Sequence, residues 1–294
     1  DADFGAVLAR QLAASQRVRP PVDLVVWPEG VVDVDGPLAG SRADTTIGGL
    51  ARRLGATVVA GVTEGVGADR FRNAAVAWSS QGVRVARYDK VHRVPFGEYA
   101  PGRRLLARVA DLSLLPRDAI AGRGPGLLRT PAGPLGVLIS YEVFFAERAR
   151  AATRAGGRVL LVPTNAASYT TGQVPAQEVA AARLRAIETG RAVVQAAPTG
   201  YSALLDRTGR VVARSGLGSP SVVRGTVELR AGTTWYGRVG DGPVLALAVL
   251  AVALAWVHAL RDRPRLPGAT WHPGTPREST GPEHAMEIKE QRQH

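Results

Sequence analysis

Near the end of the chain lies an uninterrupted apolar run, Pro243–Leu260, PVLALAVLAVALAWVHAL, whose one titratable residue is His258. This run limits the possible folds more than any other feature. As a helix it would reach roughly 27 Å at about 1.5 Å per residue, close to the thickness of a bilayer's hydrocarbon core. It is hydrophobic all round, so it has no polar face to give to water. The choices are a membrane span or a buried C-terminal helix, and the flanks favour the span. Trp235 and Tyr236 precede it and Trp256 lies near its far end, as interfacial aromatics do. Arg261, Arg263 and Arg265 follow at once. The positive-inside rule assigns that end to the cytoplasm and residues 1–240 to the outside. Residues 261–294 are rich in Pro, Gly, Glu, Gln and His without apolar periodicity, and read as a disordered cytoplasmic tail.

Composition narrows the chemistry. The chain has no cysteine, which excludes disulfides, a thiolate metal site and a cysteine nucleophile. His272, His284 and His294 are too scattered to form a metal site, and neither a metal nor a cofactor is expected. The net charge of +12 suits nucleic acid or an anionic membrane surface. An outward-facing domain without a recognition motif excludes nucleic acid. Only Lys90 and Lys289 are lysines in a chain otherwise served by arginine. A lysine ammonium is compact and tunable where a guanidinium is not, which draws attention to Lys90, outside the tail.

Residues 1–240 alternate between helix and strand signals. No methionine opens the chain and no leader pattern follows, so it reads as starting inside a domain. Asp1 to about Gln16 is amphipathic, with Phe4, Val7, Leu8 and Leu12 at helical spacing. Val22–Trp27 and Ala56–Val62 read as buried strands and Thr46–Leu54 as a helix. Arg72–Trp78 and Val83–Tyr88 form a hairpin around Ser80-Gln81-Gly82. Leu127–Thr130 and Leu135–Ser140 form another around Pro131–Pro134. Phe145–Ala155 is helical, Arg158–Pro163 a strand, and Gln177–Thr189 an Ala-rich helix ended by Gly190. Ala192–Ala196, Ser202–Asp206 and Arg210–Arg214 complete the strands. Mixed hairpins and helices point to an α+β layered sandwich.

Three apolar strands end in ionisable or nucleophilic side chains. VVWPEG ends in Glu29, which alone would pass for a solvated turn carboxylate. YDKVHRVPFGEYAPGRR carries Lys90 directly after a strand and Glu98 in a loop rich in Pro, Gly and aromatics, while His92 fits a packed or surface histidine. GVLISYEVFF runs a strand into Ser140, Tyr141 and Glu142 ahead of a helix. A strand-to-helix elbow exposes a side chain and aims backbone N–H groups at what binds there. Ser140 occupies the nucleophile's place, but flanking glycines and a suitable histidine are missing, which argues against a Ser-His-Asp triad.

Taken together, in this order, the three segments resemble the nitrilase superfamily. VPFGEYAP, PTNAASY (163–169) and RLRAIETGRAVVQAAPTGYSALLDRTG (183–209) are similar to its apolipoprotein N-acyltransferase branch, in actinobacterial form. The resemblance implies a nitrilase-like α-β-β-α sandwich over residues 1–240, a transmembrane helix at 243–260, and a missing N-terminal membrane bundle and first strand. It implies Glu29 as general base, Lys90 as oxyanion stabiliser, Glu98 in support of Lys90, and the Tyr141 N–H, ahead of Glu142, in the oxyanion hole. The family uses cysteine as nucleophile, and here that position holds Ser140. The implied reaction moves an acyl chain from a phospholipid, via an acyl-enzyme, to the α-amino group of a diacylglyceryl-modified lipoprotein, at the outer face of the cell membrane. An alcohol is far less acidic than a thiol, so Ser140 implies an impaired enzyme. The alternatives are a membrane-tethered nitrilase-type amidase and a non-catalytic module that binds lipid or lipoprotein.

Overall fold

The computed structural model describes residues 2–165, 173–218 and 220–261. Most of the PTNAASY stretch, from Ala166 on, and the tail from Asp262 lie outside the described residues. By its internal contacts the chain divides into two units, residues 1–243 and 244–294.

The first unit is built from two mixed sheets. In one, β1 (Leu24–Val26) and β2 (Val32–Val34) both pair parallel with β3 (Thr57–Val66), and β4 (Arg70–Trp78) and β5 (Arg84–Asp89) follow antiparallel. A short β6 (Asp118–Ala119) adds to β4. The other sheet runs β12-β11-β10-β9-β8-β7, from β12 (Val211–Arg214) through β11 (Ala203–Leu205), β10 (Val193–Ala196), β9 (Val159–Pro163) and β8 (Gly133–Val137) to β7 (Leu127–Thr130). Its three central strands are parallel.

Three hydrophobic cores separate four layers. Val58, Ala60 and Val62 of β3 face α2 (Arg42–Leu54), whose Ile47, Leu50 and Leu54 share their core, and Val7, Leu8 and Leu12 of α1 (Ala2–Ser15) pack on the same core. Val59, one residue out of phase, faces the second sheet. Strand β9 repeats the pattern. Its Val159 and Leu161 face the first sheet, while Leu160 and Val162 face α4 (Ala146–Arg154) and α5 (Val174–Thr189). Side chains alternate across a strand, and a strand buried on both faces reads as a nearly continuous apolar run, as at 58–62 of β3 and 159–162 of β9. The result is the α-β-β-α sandwich that the resemblance implied.

Several boundaries differ from the sequence reading. Helix α2 starts at Arg42, one turn earlier than Thr46, because the Ser41 hydroxyl accepts from the Asp44 N–H and caps it. The strand read as Leu135–Ser140 runs from Gly133 to Val137, and a 3-10 turn occupies Ser140–Phe144. The short elements β2, α3 (Arg103–Leu106), β6 and α6 (Trp235–Val239) have too few residues to show a period.

Helix α7 (Gly242–Arg261) is continuous, with a mean hydropathy of 2.3 over its most apolar stretch and no buried residue. It is long and apolar enough to cross a membrane.

Glycine is required where β1 leaves its sheet. The Gly61 N–H donates to the Pro28 carbonyl at 3.2 Å, and a Cβ on Gly61 would lie 2.4 Å from that oxygen and 2.5 Å from the Glu29 Cα. Backbone meets backbone there, so nothing flexible can yield. Gly61→Ala is expected to cost about 1–3 kcal/mol and to displace Glu29. Denaturant unfolding checks the first effect, and loss of whatever reactivity depends on Glu29 checks the second.

Candidate active site

The end of β1, the turn after β5 and the turn after β8 bring the sequence candidates to one end of the sandwich. Lys90 follows β5 and is 2% exposed. Its ammonium donates to Glu29 Oε1 at 2.8 Å and to Glu98 Oε1 at 3.0 Å. Asn73 of β4 donates to the same two oxygens at 2.7 and 2.9 Å, and its carbonyl accepts the Lys90 N–H at 2.8 Å. Glu98 Oε2 accepts from the Val94 N–H, which ties the loop 94–98 to its own carboxylate. Burial by itself would lower the Lys90 pKa, but Glu29 and Glu98 outweigh it and the net direction is upward. Lys90 therefore stays a cation at neutral pH, suited to receive developing negative charge and unsuited to act as a base.

Ser140 begins the 3-10 turn with φ of +47°, and with Phe96 it is one of two non-glycine residues at positive φ among the described residues. Such backbone is strained for an L-residue and concentrates at functional turns. The Ser140 side chain is buried, with Thr164 Oγ1 at 3.2 Å and Glu178 Oε1 at 3.4 Å. Thr164 is itself hydrogen-bonded to Glu178. Burial first, then the Glu29 charge, raise the Glu178 pKa against the opposing hydroxyls and Lys90.

Glu142 has a different place. It is fully buried, and its Oε1 accepts from the Tyr88 hydroxyl at 2.8 Å and from the Val91 and His92 N–H groups at 2.8 and 3.1 Å. Its Oε2 accepts from the Ile139 N–H at 2.9 Å. One carboxylate thus fastens the turn after Lys90 to the turn that carries Ser140. Burial, then Glu142, hold the Tyr88 phenol above its ordinary range, so it remains a donor. The Tyr141 ring packs edge-on against Phe145 at 4.9 Å, and His92 stacks on Phe145 at 4.3 Å. His92 is a packed histidine. No cluster of His, Cys, Asp or Glu among the described residues could hold a metal ion.

Sequence reasoning missed Asn73, Thr164 and Glu178. Glu178 did leave a signal. It shares the buried stripe of α5 with Pro175, Ala182 and Ala186, where a carboxylate is out of place. Thr164 stands within PTNAASY with no pattern that marks its hydroxyl, and Asn73 is one polar residue in an alternating strand.

Residues 1–236 match the carbon-nitrogen hydrolase family, and the chain belongs to that family. Within it, the chain is 37% identical over 249 residues to an apolipoprotein N-acyltransferase of Geobacter metallireducens, covering 83% of this chain and 46% of that protein. It is 28% identical over 269 residues to the apolipoprotein N-acyltransferase of Mycolicibacterium smegmatis, covering 88% and 44%. The chain spans about half the length of these relatives. Among solved structures, Saccharomyces cerevisiae Nit3, of the nitrilase superfamily, superposes with a TM-score of 0.55 at 22% identity, covering 74% of this chain and 80% of that one. A cysteine-to-serine variant of a Nesterenkonia amidase from the same superfamily gives 0.53 at 23%, covering 74% and 83%. At these identities the likeness is one of fold.

Two outcomes follow from the geometry. Glu142→Gln keeps the shape but leaves donors facing an amide NH2, and is expected to cost on the order of 3 kcal/mol in denaturant unfolding. Glu178 behaves differently. Its folded pKa lies above its ordinary value of 4.5, so its stabilising contribution is complete below that value and is lost as pH rises through the raised folded pKa. Glu178→Gln cannot ionise. Thermal unfolding from pH ~4 to ~8 should show the parent losing stability relative to this variant as pH rises.

Proposed function

We propose that the chain transfers a fatty acyl chain from a membrane phospholipid to the N-terminal amino group of diacylglyceryl-modified lipoproteins, through an acyl-enzyme at Ser140. The observation that carries this reading is the buried Lys90 ammonium held between Glu29 and Glu98, with the turn after it tied through Glu142 to the strained Ser140 turn. Glu29 is the general base. Lys90 and the Tyr141 N–H face the oxyanion, and donors of this kind contribute on the order of 3 kcal/mol each. Glu98 supports Lys90, and Glu142 fixes the turn.

Residues 1–240 form the catalytic domain on the outer side of the cell membrane, with residues 243–260 spanning it. The net charge of +12 favours an anionic bilayer carrying the lipid donor. Similarity to the apolipoprotein N-acyltransferases supports lipoprotein as the acceptor. No nucleic acid is involved.

Serine limits the rate. Glu29 is a poor base for an alcohol but can accept a thiol proton. Ser140→Cys should raise transfer by roughly 100-fold or more, within the range of acid–base contributions. The assay follows a labelled fatty acid from phospholipid to a diacylated lipoprotein peptide in membranes. Release of free fatty acid or amide hydrolysis without transfer would favour the tethered amidase. Peptide binding without turnover in the Ser140→Cys form would favour the non-catalytic module. A Ser140 form already as fast as the cysteine variant would refute the account of the nucleophile.

A further inference from the structure

Glu178 is a buried carboxylate of this site to which the proposed chemistry gives no part. It lies on α5, 3% exposed, and its Oε1 faces the hydroxyls of Ser140 and Thr164. The direct approach to Ser140 Oγ, 3.4 Å, is long for a hydroxyl–carboxylate hydrogen bond. The path through Thr164 has shorter steps, with Thr164 bonded to Glu178 and its Oγ1 at 3.2 Å from Ser140 Oγ. Glu29 is placed otherwise. Its Oε1 already accepts from the Lys90 ammonium and from Asn73.

Serine chemistry has a need that cysteine chemistry lacks. A thiolate, with its parent thiol near pKa 8.5, can depart as an anion, whereas an alkoxide cannot. An oxygen nucleophile therefore needs a group that removes its proton when it bonds to carbon and returns that proton when the bond breaks. We infer that Glu178, acting through Thr164, is the acid–base group of the Ser140 hydroxyl, and that Glu29 serves the other reacting partner.

This inference rests on the acyl-enzyme reading above, and its protons balance. In acylation the Oγ–carbon bond forms and the donor's ester C–O bond breaks. The Ser140 proton passes to Thr164, whose own proton passes to the Glu178 carboxylate, and the departing alcohol oxygen takes a proton from Glu29. In aminolysis the N–C bond forms and the Oγ–carbon bond breaks. The amine's proton goes to Glu29, and the Glu178 proton returns through Thr164 to Oγ. Each carboxylate ends the cycle as it began, with one proton held between them. The charged groups acting on Glu178 are Glu29 and Lys90, and with burial they leave its pKa raised, toward the pH at which a group can both take and give a proton.

A fluorophosphonate with an alkyl chain tests the relay without any lipoprotein, since it forms an Oγ–P bond and expels fluoride. Ser140 should be labelled, at a rate that rises with pH through the raised Glu178 pKa, and Ser140→Ala should abolish labelling. Thr164→Val and Glu178→Gln should each slow labelling by roughly 100-fold. The chain has no cysteine, so Ser140→Cys supplies a single thiol as a second reporter. Its alkylation by iodoacetamide should change less than about threefold on adding Thr164→Val, because a thiol ionises without a relay. The inference falls if Ser140 is not labelled, if labelling ignores Thr164 and Glu178, or if both reporters drop together, which would mark a purely structural role. Relay-dependent labelling alongside failed acyl transfer in Ser140→Cys would remove the lipid substrate and leave the relay standing.

Discussion

The site depends on one buried cation. Lys90 has given up nearly all contact with water, and an ammonium in that position is tolerable only with carboxylates at hydrogen-bond distance. Glu29 and Glu98 supply them, from the end of β1 and from the loop after Lys90, and Asn73 bridges the same two oxygens. The cluster therefore couples a structural demand to a chemical one. Removing either carboxylate would leave charge uncompensated inside the domain, so the residues that would perform the reaction also hold this end of the first sheet together.

The sandwich explains why such a cluster can persist. Residues 58–62 of β3 and 159–162 of β9 are apolar on both faces, and each stretch contributes to two cores at once. The strand ends cannot drift without disturbing packing on both sides. Polar groups placed at those ends inherit this rigidity, which suits chemistry that requires several groups held within fractions of an ångström. The strained φ of Ser140 is maintained in the same way, by Glu142 accepting the Ile139 N–H just before it.

Much of this architecture was legible in the sequence because the long strands and helices carry strong periodicity. The hairpin β4–β5, the Ala-rich helix α5 and the apolar run at 243–260 announced themselves by pattern. Glu29, Lys90 and Ser140 stood out because polar residues at the ends of apolar strands are unusual, and Glu98 because of the Pro-, Gly- and aromatic-rich loop that carries it. Short elements such as β2 and β6 were not legible, since two or three residues cannot display a period and their pairing depends on distant partners. Asn73 and Thr164 were not legible for a related reason. Their importance comes only from what the fold places opposite them, at Glu29 and Glu178. Glu178 could have been found by asking why a carboxylate sits on the buried stripe of α5.

The position of Glu142 has a mechanical consequence. Its carboxylate is carried by the turn at the end of the second sheet, yet it grips the backbone of Val91 and His92, which continue from the first. It works as a rivet through the two inner layers. Sliding one sheet over the other would strip several charge-assisted bonds from a group that water cannot reach, all at once. Shear between the layers is thus closed as a route for opening the site. Any movement that admits a bulky ligand is then left to the segments around the rim, while Lys90 and Ser140 keep their places on two turns that Glu142 holds together.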